Sequence, residues 1–431
     1  MKLGRAARIV ALCALAAIGC VGALVAWLNL RGEDVVRPRA AGTSSPDATL
    51  LARGEYLTRA GDCLGCHTER GGRPYAGGRG IETPFGTVYS SNLTPDPRTG
   101  LGAWSADAFW RALHRGRSMN GRLLYPAFPY PNYTHVGRDD ADAMFAYLQS
   151  LAPVEQPNRA HALRFPFDTQ VAVAVWRALY FRPASYAVDA QRSAEWNRGA
   201  YLVEGLGHCN ACHSARNALG ATVGTLDLQG GLIPVQNWYA PSLASPLEAG
   251  VAAWPRSEVV RLLKTGVAAN GFVMGPMSEV VGNSTQHLSD ADAAAMATYL
   301  QSLATPPESD NDARARTAVA PSERGATLYH DHCVACHGEQ GQGVPGAYPA
   351  LAGGRAATMR SPANLVHVVL EGGFPPTTAG NPRPFGMPPF ATRLSDADVA
   401  ELLSFVRESW GNRAPAVSAL EVSRARDASA R

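Results

Sequence analysis

Apolar positions fall along this chain in two patterns. The first is one uninterrupted stretch: no residue from Ile9 to Leu30 is charged, and Lys2, Arg5 and Arg8 precede it. As a helix it would be about 33 Å long, enough to cross the hydrocarbon core of a bilayer. A cleaved signal peptide has a shorter apolar core and a small-residue exit, whereas this run ends in Trp27-Leu28-Asn29-Leu30. The pattern predicts an uncleaved anchor over residues 1–31, with the positive end cytoplasmic and everything after Arg31 outside. A cleaved signal is the alternative. Ala17-Ile18-Gly19-Cys20 is a poor lipidation sequence, so Cys13 and Cys20 read as small residues of a lipid-facing helix.

The second pattern is short helical periodicity between long loops rich in Gly and Pro, and it comes three times. Asp140 to Leu151, Ser289 to Leu303 and Ser395 to Phe405 read as helices. The first two share Tyr-Leu-Gln-Ser-Leu, at 147–151 and 299–303. A Ser N-cap with an acidic residue in the first turn opens the second and third. Upstream of each, an Arg-Gly pair precedes another helical stretch: Arg53-Gly54, Arg198-Gly199 and Arg324-Gly325. Tyr89, Leu93, Trp104 and Gly116 recur as Tyr239, Leu243, Trp254 and Gly266, each at an offset of 150. Such internal repetition marks homologous units, here residues 49–153, 191–304 and 321–412.

Linkers are expected at 31–48, 153–190 and 305–320, the second with an apolar stretch around Val171 to Phe181 that could pack across domains. The Ala-, Ser- and Arg-rich tail after Trp410 reads as loose. Strand-like runs are few. The predicted fold class is mainly α: three tandem helical domains, each folding around its own site, after an N-terminal transmembrane helix.

Composition narrows the function. A chain of 431 residues exceeds one domain at roughly 100–200 residues each. With 46% apolar and 17% charged residues it is not wholesale disordered. Its 39 basic and 36 acidic residues make no electrostatic case for nucleic acid.

The cysteines carry the chemistry. Each unit holds one Cys-x-x-Cys-His sequence: Cys63, Cys66 and His67; Cys209, Cys212 and His213; Cys333, Cys336 and His337. This is the c-type haem attachment motif. Two thiols about one turn apart can bond the two vinyl groups of one porphyrin, and the adjacent His turns an imidazole to the iron. A zinc site would gather four ligands from neighbouring pairs, but these pairs stand 146 and 124 residues apart. A thioredoxin-like reading lacks its strand–helix context. Three covalent haems c follow, attached outside the cytoplasm.

A distal ligand is expected in the loop before each last helix, most often Met. Met277 lies in Gly275-Pro276-Met277, with Met274 as its rival, and Met387 lies in Gly386-Met387-Pro388. In the first unit Phe128 holds the corresponding place and cannot ligate iron. Met119 is the choice there, with His135 or an open position as alternatives. His114 reads as a packed or surface residue.

The exported region resembles the three-haem cytochrome c subunits of membrane-bound alcohol, gluconate, sorbitol and fructose dehydrogenases. It is also similar to the cytochrome subunits that serve molybdenum hydroxylases such as nicotinate and isoquinoline dehydrogenases. The segments that carry the resemblance are Asn92-Leu93-Thr94-Pro95-Asp96, Gly102-Ala103-Trp104-Ser105, Leu124-Tyr125-Pro126-Ala127, and Glu195 to Leu202 running into Gly207-His208-Cys209. It extends over about residues 49–412. The family often has Met where Phe128 stands. The resemblance implies a periplasmic subunit on the inner membrane that takes electrons from a flavin- or molybdenum-dependent dehydrogenase. It implies delivery to ubiquinone or a terminal oxidase. No catalytic constellation stands outside the haem motifs, so an electron-transfer subunit is expected. The competing class is a haem enzyme with peroxidase-like activity at an open first haem.

Overall fold

The computed structural model describes residues 4–31, 47–222, 227–269, 271–303 and 322–429. The expected linkers at 31–48 and 305–320 lie outside these, apart from Arg31, Asp47 and Ala48. Helix α1 (Arg5–Leu30) is followed by α2 (Ala48–Ala60), α3 (Cys63–Cys66), α4 (Ala106–Arg115), α5 (Tyr130–Tyr133) and α6 (Arg138–Ser150). Then come α7 (Gln170–Tyr180), α8 (Ala194–Ala200), α9 (Asn210–His213), α10 (Arg256–Thr265), α11 (Pro276–Asn283) and α12 (Asp290–Gln301). The last stretch holds α13 (Glu323–His332), α14 (Val334–His337), α15 (Arg355–Thr358), α16 (Ala363–Glu371), α17 (Asp396–Glu408) and α18 (Ala419–Ser429).

Strands are minor. β1 (Gly80–Thr83) and β2 (Gly86–Tyr89) pair antiparallel, and β3 (Ala162–Leu163) adds to β2 from the following linker. Two further antiparallel pairs of two-residue strands lie within 231–272. The chain is therefore mainly helical, as the periodicity predicts. The span Ala7–Leu30 is long and apolar enough to cross a membrane, and its most apolar stretch is not buried.

One lock recurs three times. The helix before each motif crosses the last helix of its unit at the glycine of the Arg-Gly pair. A Cβ on Gly54 would stand 2.0 Å from the Ala143 carbonyl oxygen. On Gly199 it would stand 2.0 Å from that of Ala295, and on Gly325 2.5 Å from that of Glu401. Only glycine allows backbones this close. The arginine before each glycine pairs with the third residue of the last helix: Arg53 with Asp140 at 2.5 Å, Arg198 with Asp292 at 2.7 Å, and Arg324 with Asp398. Those aspartates also suit the positive helix N-terminus. Ser289 and Ser395 cap α12 and α17, whereas Gly137, which precedes α6, offers no side-chain cap.

The first two stretches are interlocked. The Tyr56 hydroxyl donates to Asp292 Oδ2 at 2.5 Å, and the Tyr201 hydroxyl donates to Asp140 Oδ2 at 2.6 Å. Each tyrosine lies two residues after its glycine, so the contact is reciprocal. Around it, one continuous apolar core runs from Leu57 through Leu148, Leu202 and Leu206 to Met296 and Leu300. The expectation that every repeat has a core of its own does not hold for these two. The third has a separate core, from Tyr329 to Ala425.

The linker stretch and the tail are both helical. The stretch around Val171 to Phe181 is helix α7, which packs on α1. The tail after Trp410 is not loose: α18 lies against α16 and α17, with Val422 fully buried. Arg426 pairs with Asp396 at 2.8 Å. Fully buried Arg407 donates to the Pro415, Ala357 and Arg360 carbonyls, which ties the tail down.

Candidate functional site

Each Cys-x-x-Cys-His sequence forms a single helical turn closed by the same bond. The His67, His213 and His337 amides donate to the Cys63, Cys209 and Cys333 carbonyls, each at 2.9 Å. Both thiols of a pair and the histidine are thereby held on one short element. The three rings are anchored alike. His67 Nδ1 is 2.6 Å from the Ser91 carbonyl oxygen, His213 Nδ1 2.7 Å from that of Pro241, and His337 Nδ1 3.0 Å from that of Pro349. A carbonyl only accepts, so Nδ1 is the donor and Nε2 keeps its lone pair. Burial outweighs that bond and lowers the pKa of all three rings, favouring the neutral form a metal needs. Burial also raises the thiols: Cys66, Cys209 and Cys333 are each pushed up to about 12.

Two arginines that sequence reasoning missed brace the first two turns. Arg79 Nη1 donates to the Gly65 carbonyl at 2.6 Å, and Arg216 donates to that of Ala211. Gly65 and Ala211 hold the same place, just before the second cysteine. The signal was an arginine a short, variable distance after each motif, which no periodicity marks.

The distal residues sit as follows. Met277 is the second residue of α11, on a helix start rather than in the expected loop. Met274 turns to the third repeat, with its methyl 3.2 Å from where a Cβ on Gly373 would stand. Met387 is paired antiparallel with Gly373 through bonds of 2.8 and 3.0 Å, and it packs on the third core. Phe128 lies among Tyr130 and Tyr133, with ring centres 6.4 and 5.3 Å away. Met119 is exposed at the turn between Arg117 and Leu123, where its carbonyl accepts from Arg111. His135 is half-buried against the π-helical turn Tyr201–Leu206. His114 is buried, stacked on Trp110 at 4.3 Å with Nδ1 on the Thr134 carbonyl.

Known proteins are similar to this sequence over nearly the whole chain. The Cytochrome c family pattern matches residues 322–410. The cytochrome c subunit of the quinone alcohol dehydrogenase of Gluconobacter oxydans is 39% identical, over 90% of this chain and 84% of its own. The gluconate 2-dehydrogenase cytochrome c subunit of Pantoea cypripedii is 40% identical, over 85% and 87%. The chain belongs to the cytochrome c subunits of dehydrogenase complexes. A nicotinate dehydrogenase component of Pseudomonas putida is 40% identical over 93% of this chain, which spans 33% of that longer protein.

This cytochrome is accordingly an electron-transfer subunit rather than a catalytic one, and it carries covalently bound haem c. The residues present fit that group, since paired thiols and a neutral imidazole with a free Nε2 are what it requires. The first two motifs also approach each other: after burial and Asp62, a charged Cys212 is among the groups that push the Cys66 thiol up. Asp62, immediately before Cys63, is half-buried beside them. Desolvation raises its carboxyl to about 7, against the opposing pull of the Gly65 amide and Arg79.

Proposed function

We propose that this chain is a membrane-anchored periplasmic cytochrome c with three haems, one in each of residues 49–153, 191–304 and 321–412. It accepts electrons from a partner dehydrogenase, flavin- or molybdenum-dependent, and passes them to ubiquinone or a terminal oxidase. The observation that carries the number three is the recurrence of one ring anchor: Nδ1 of His67, His213 and His337 each on a backbone carbonyl. A histidine held that way presents Nε2 in a fixed direction.

In this reading Cys63, Cys66, Cys209, Cys212, Cys333 and Cys336 hold the porphyrins. His67, His213 and His337 are proximal ligands. Met277 and Met387 are distal, and Met119 is the distal residue proposed for the first site. Bound haem c supplies a one-electron iron couple. The chain fixes the imidazole tautomer, keeps water away with apolar packing, and sets each potential through the distal side chain. Anchoring by residues 1–31 places the exported repeats on the periplasmic face of the inner membrane.

A pyridine haemochrome assay on denatured, acid-acetone-extracted protein should give three haems per chain. Two or fewer in fully matured protein would overturn the count. Intact-mass analysis should find the chain starting near Met1; a start after residue 31 would remove the anchor. Co-purification from detergent-solubilised membranes should bring down a dehydrogenase and reveal its cofactor.

A further inference from the structure

Helix α7 is joined to the end of α1. Asn29, in the last turn of α1, donates from Nδ2 to the Ala174 carbonyl at 2.9 Å and accepts from Arg177 Nε at 3.0 Å. Arg117 donates to the Asn29 carbonyl at 3.0 Å. One side of α7 is internal: Val173 is buried, and Arg177 lies over the Tyr130 and Phe181 rings at 5.2 and 4.8 Å. Another side is apolar and bare. Val171, Val175 and Leu179 are 72, 40 and 58% exposed, and their four-residue spacing puts them in one stripe. Phe165, just upstream, is 82% exposed. Contiguous apolar exposure of this kind marks a contact surface.

We propose that α7 lies in the headgroup layer of the bilayer that α1 enters, with the Val171–Val175–Leu179 stripe turned to the acyl chains. The proposal rests on the anchoring reading above. Three observations select lipid as the occupant. The bonds to Asn29 fix the stripe at the level where the span Ala7–Leu30 ends, so it meets the membrane surface. Trp27, two residues before Asn29, is exposed, and the Trp176 and Tyr180 rings lie 5.5 Å apart on α7, as aromatic side chains do at membrane interfaces. A small cleft between α1 and α7 is lined by Leu28, Asn29, Arg31, Arg115, Arg177 and Phe181, with no acidic residue. The guanidinium groups of Arg31 and Arg115 there complement lipid phosphates. An interfacial helix bonded to a single span removes a degree of freedom that the span alone leaves open: rotation of the exported repeats about the membrane normal stays free, but their tilt does not.

The test uses the full haem-loaded chain, with Cys13→Ala and Cys20→Ala, in vesicles of phosphatidylethanolamine and phosphatidylglycerol. Nitroxide labels are placed singly through Val171→Cys and Leu179→Cys, with Leu15→Cys as the reference inside the span and Leu420→Cys as the aqueous reference. Power saturation then compares access by oxygen and by a nickel chelate. Labels at 171 and 179 should favour oxygen several-fold more than the label at 420, at a depth shallower than 15. If they favour nickel as 420 does while 15 remains deep, the anchor stands and this proposal falls. If both are shielded from either reagent, protein covers the stripe, and the proposal also falls. If 15 itself is open to nickel, the anchoring reading fails and takes this one with it.

Discussion

At the scale of single residues, the distal positions offer the sharpest contrast. Thioether ligation stabilises ferrous iron and raises the potential. Met387→Ala should therefore lower the potential of one haem and open it to carbon monoxide, within the roughly 0.8 V range that axial ligands control. Met277→Ala should do the same at another haem, read by redox titration and carbon monoxide difference spectra. If Met119 serves the first site, Met119→Ala behaves likewise; if His135→Ala does so instead, the imidazole is the ligand. The three Cys-x-x-Cys-His turns and the odd first loop were visible in the sequence, because the motif has fixed residue types at fixed spacing. The braces from Arg79 and Arg216 were not, since a long arginine reaching a carbonyl leaves no spacing rule behind. Nor was the role of Met274: its place beside Gly373 depends on how two repeats meet, which one repeat's sequence does not encode.

At the scale of elements, the crossing glycines carry the packing. Gly199→Ala sets a methyl group against a carbonyl oxygen at 2.0 Å. Forced overpacking of this kind costs about 1–3 kcal/mol or more, and urea denaturation should read a loss in that range. The ion pair at the same crossing makes this contact pH-dependent. Burial pushes the Asp292 carboxyl up, but bonds from Arg198 and Tyr56 outweigh it and hold its pKa below the ordinary value. A depressed folded-state pKa adds stability above the unfolded value, about 3.9, and loses it as pH falls through the folded one. The wild type should thus weaken below about pH 4. Tyr56→Phe, lacking one bond to a charged group, should cost about 1–2 kcal/mol at neutral pH and show a smaller acid loss. The Arg-Gly pairs were visible as a repeat. Their partners were not, because an aspartate at the third position of a helix reads as ordinary N-terminal charge. The tail misled for a related reason: its alanines, serines and arginines suggest solvent, yet Arg407 and Arg426 bury their stems and tie it to the third core.

At the scale of the whole molecule, repetition in sequence does not translate into three equal bodies. Residues 57–300 share one core and 329–425 form another. Calorimetry should resolve two transitions, not three. Leu206→Ala, at a fully buried position in the shared core, should lower the first by about 2–5 kcal/mol and leave the second in place. Equal shifts in both would mean a single cooperative unit. The crossed tyrosines also impose an order in time. A chain is made N-terminus first, so Tyr56 and Asp140 exist while Asp292 and Tyr201 are still unmade. During that interval the first motif belongs to a half-built interface, and its cysteines, half-buried in the finished protein, have no second repeat beside them. If haem joins Cys63 and Cys66 as proposed, it should do so before the second repeat closes on them, so maturation would work against a clock that the architecture itself sets.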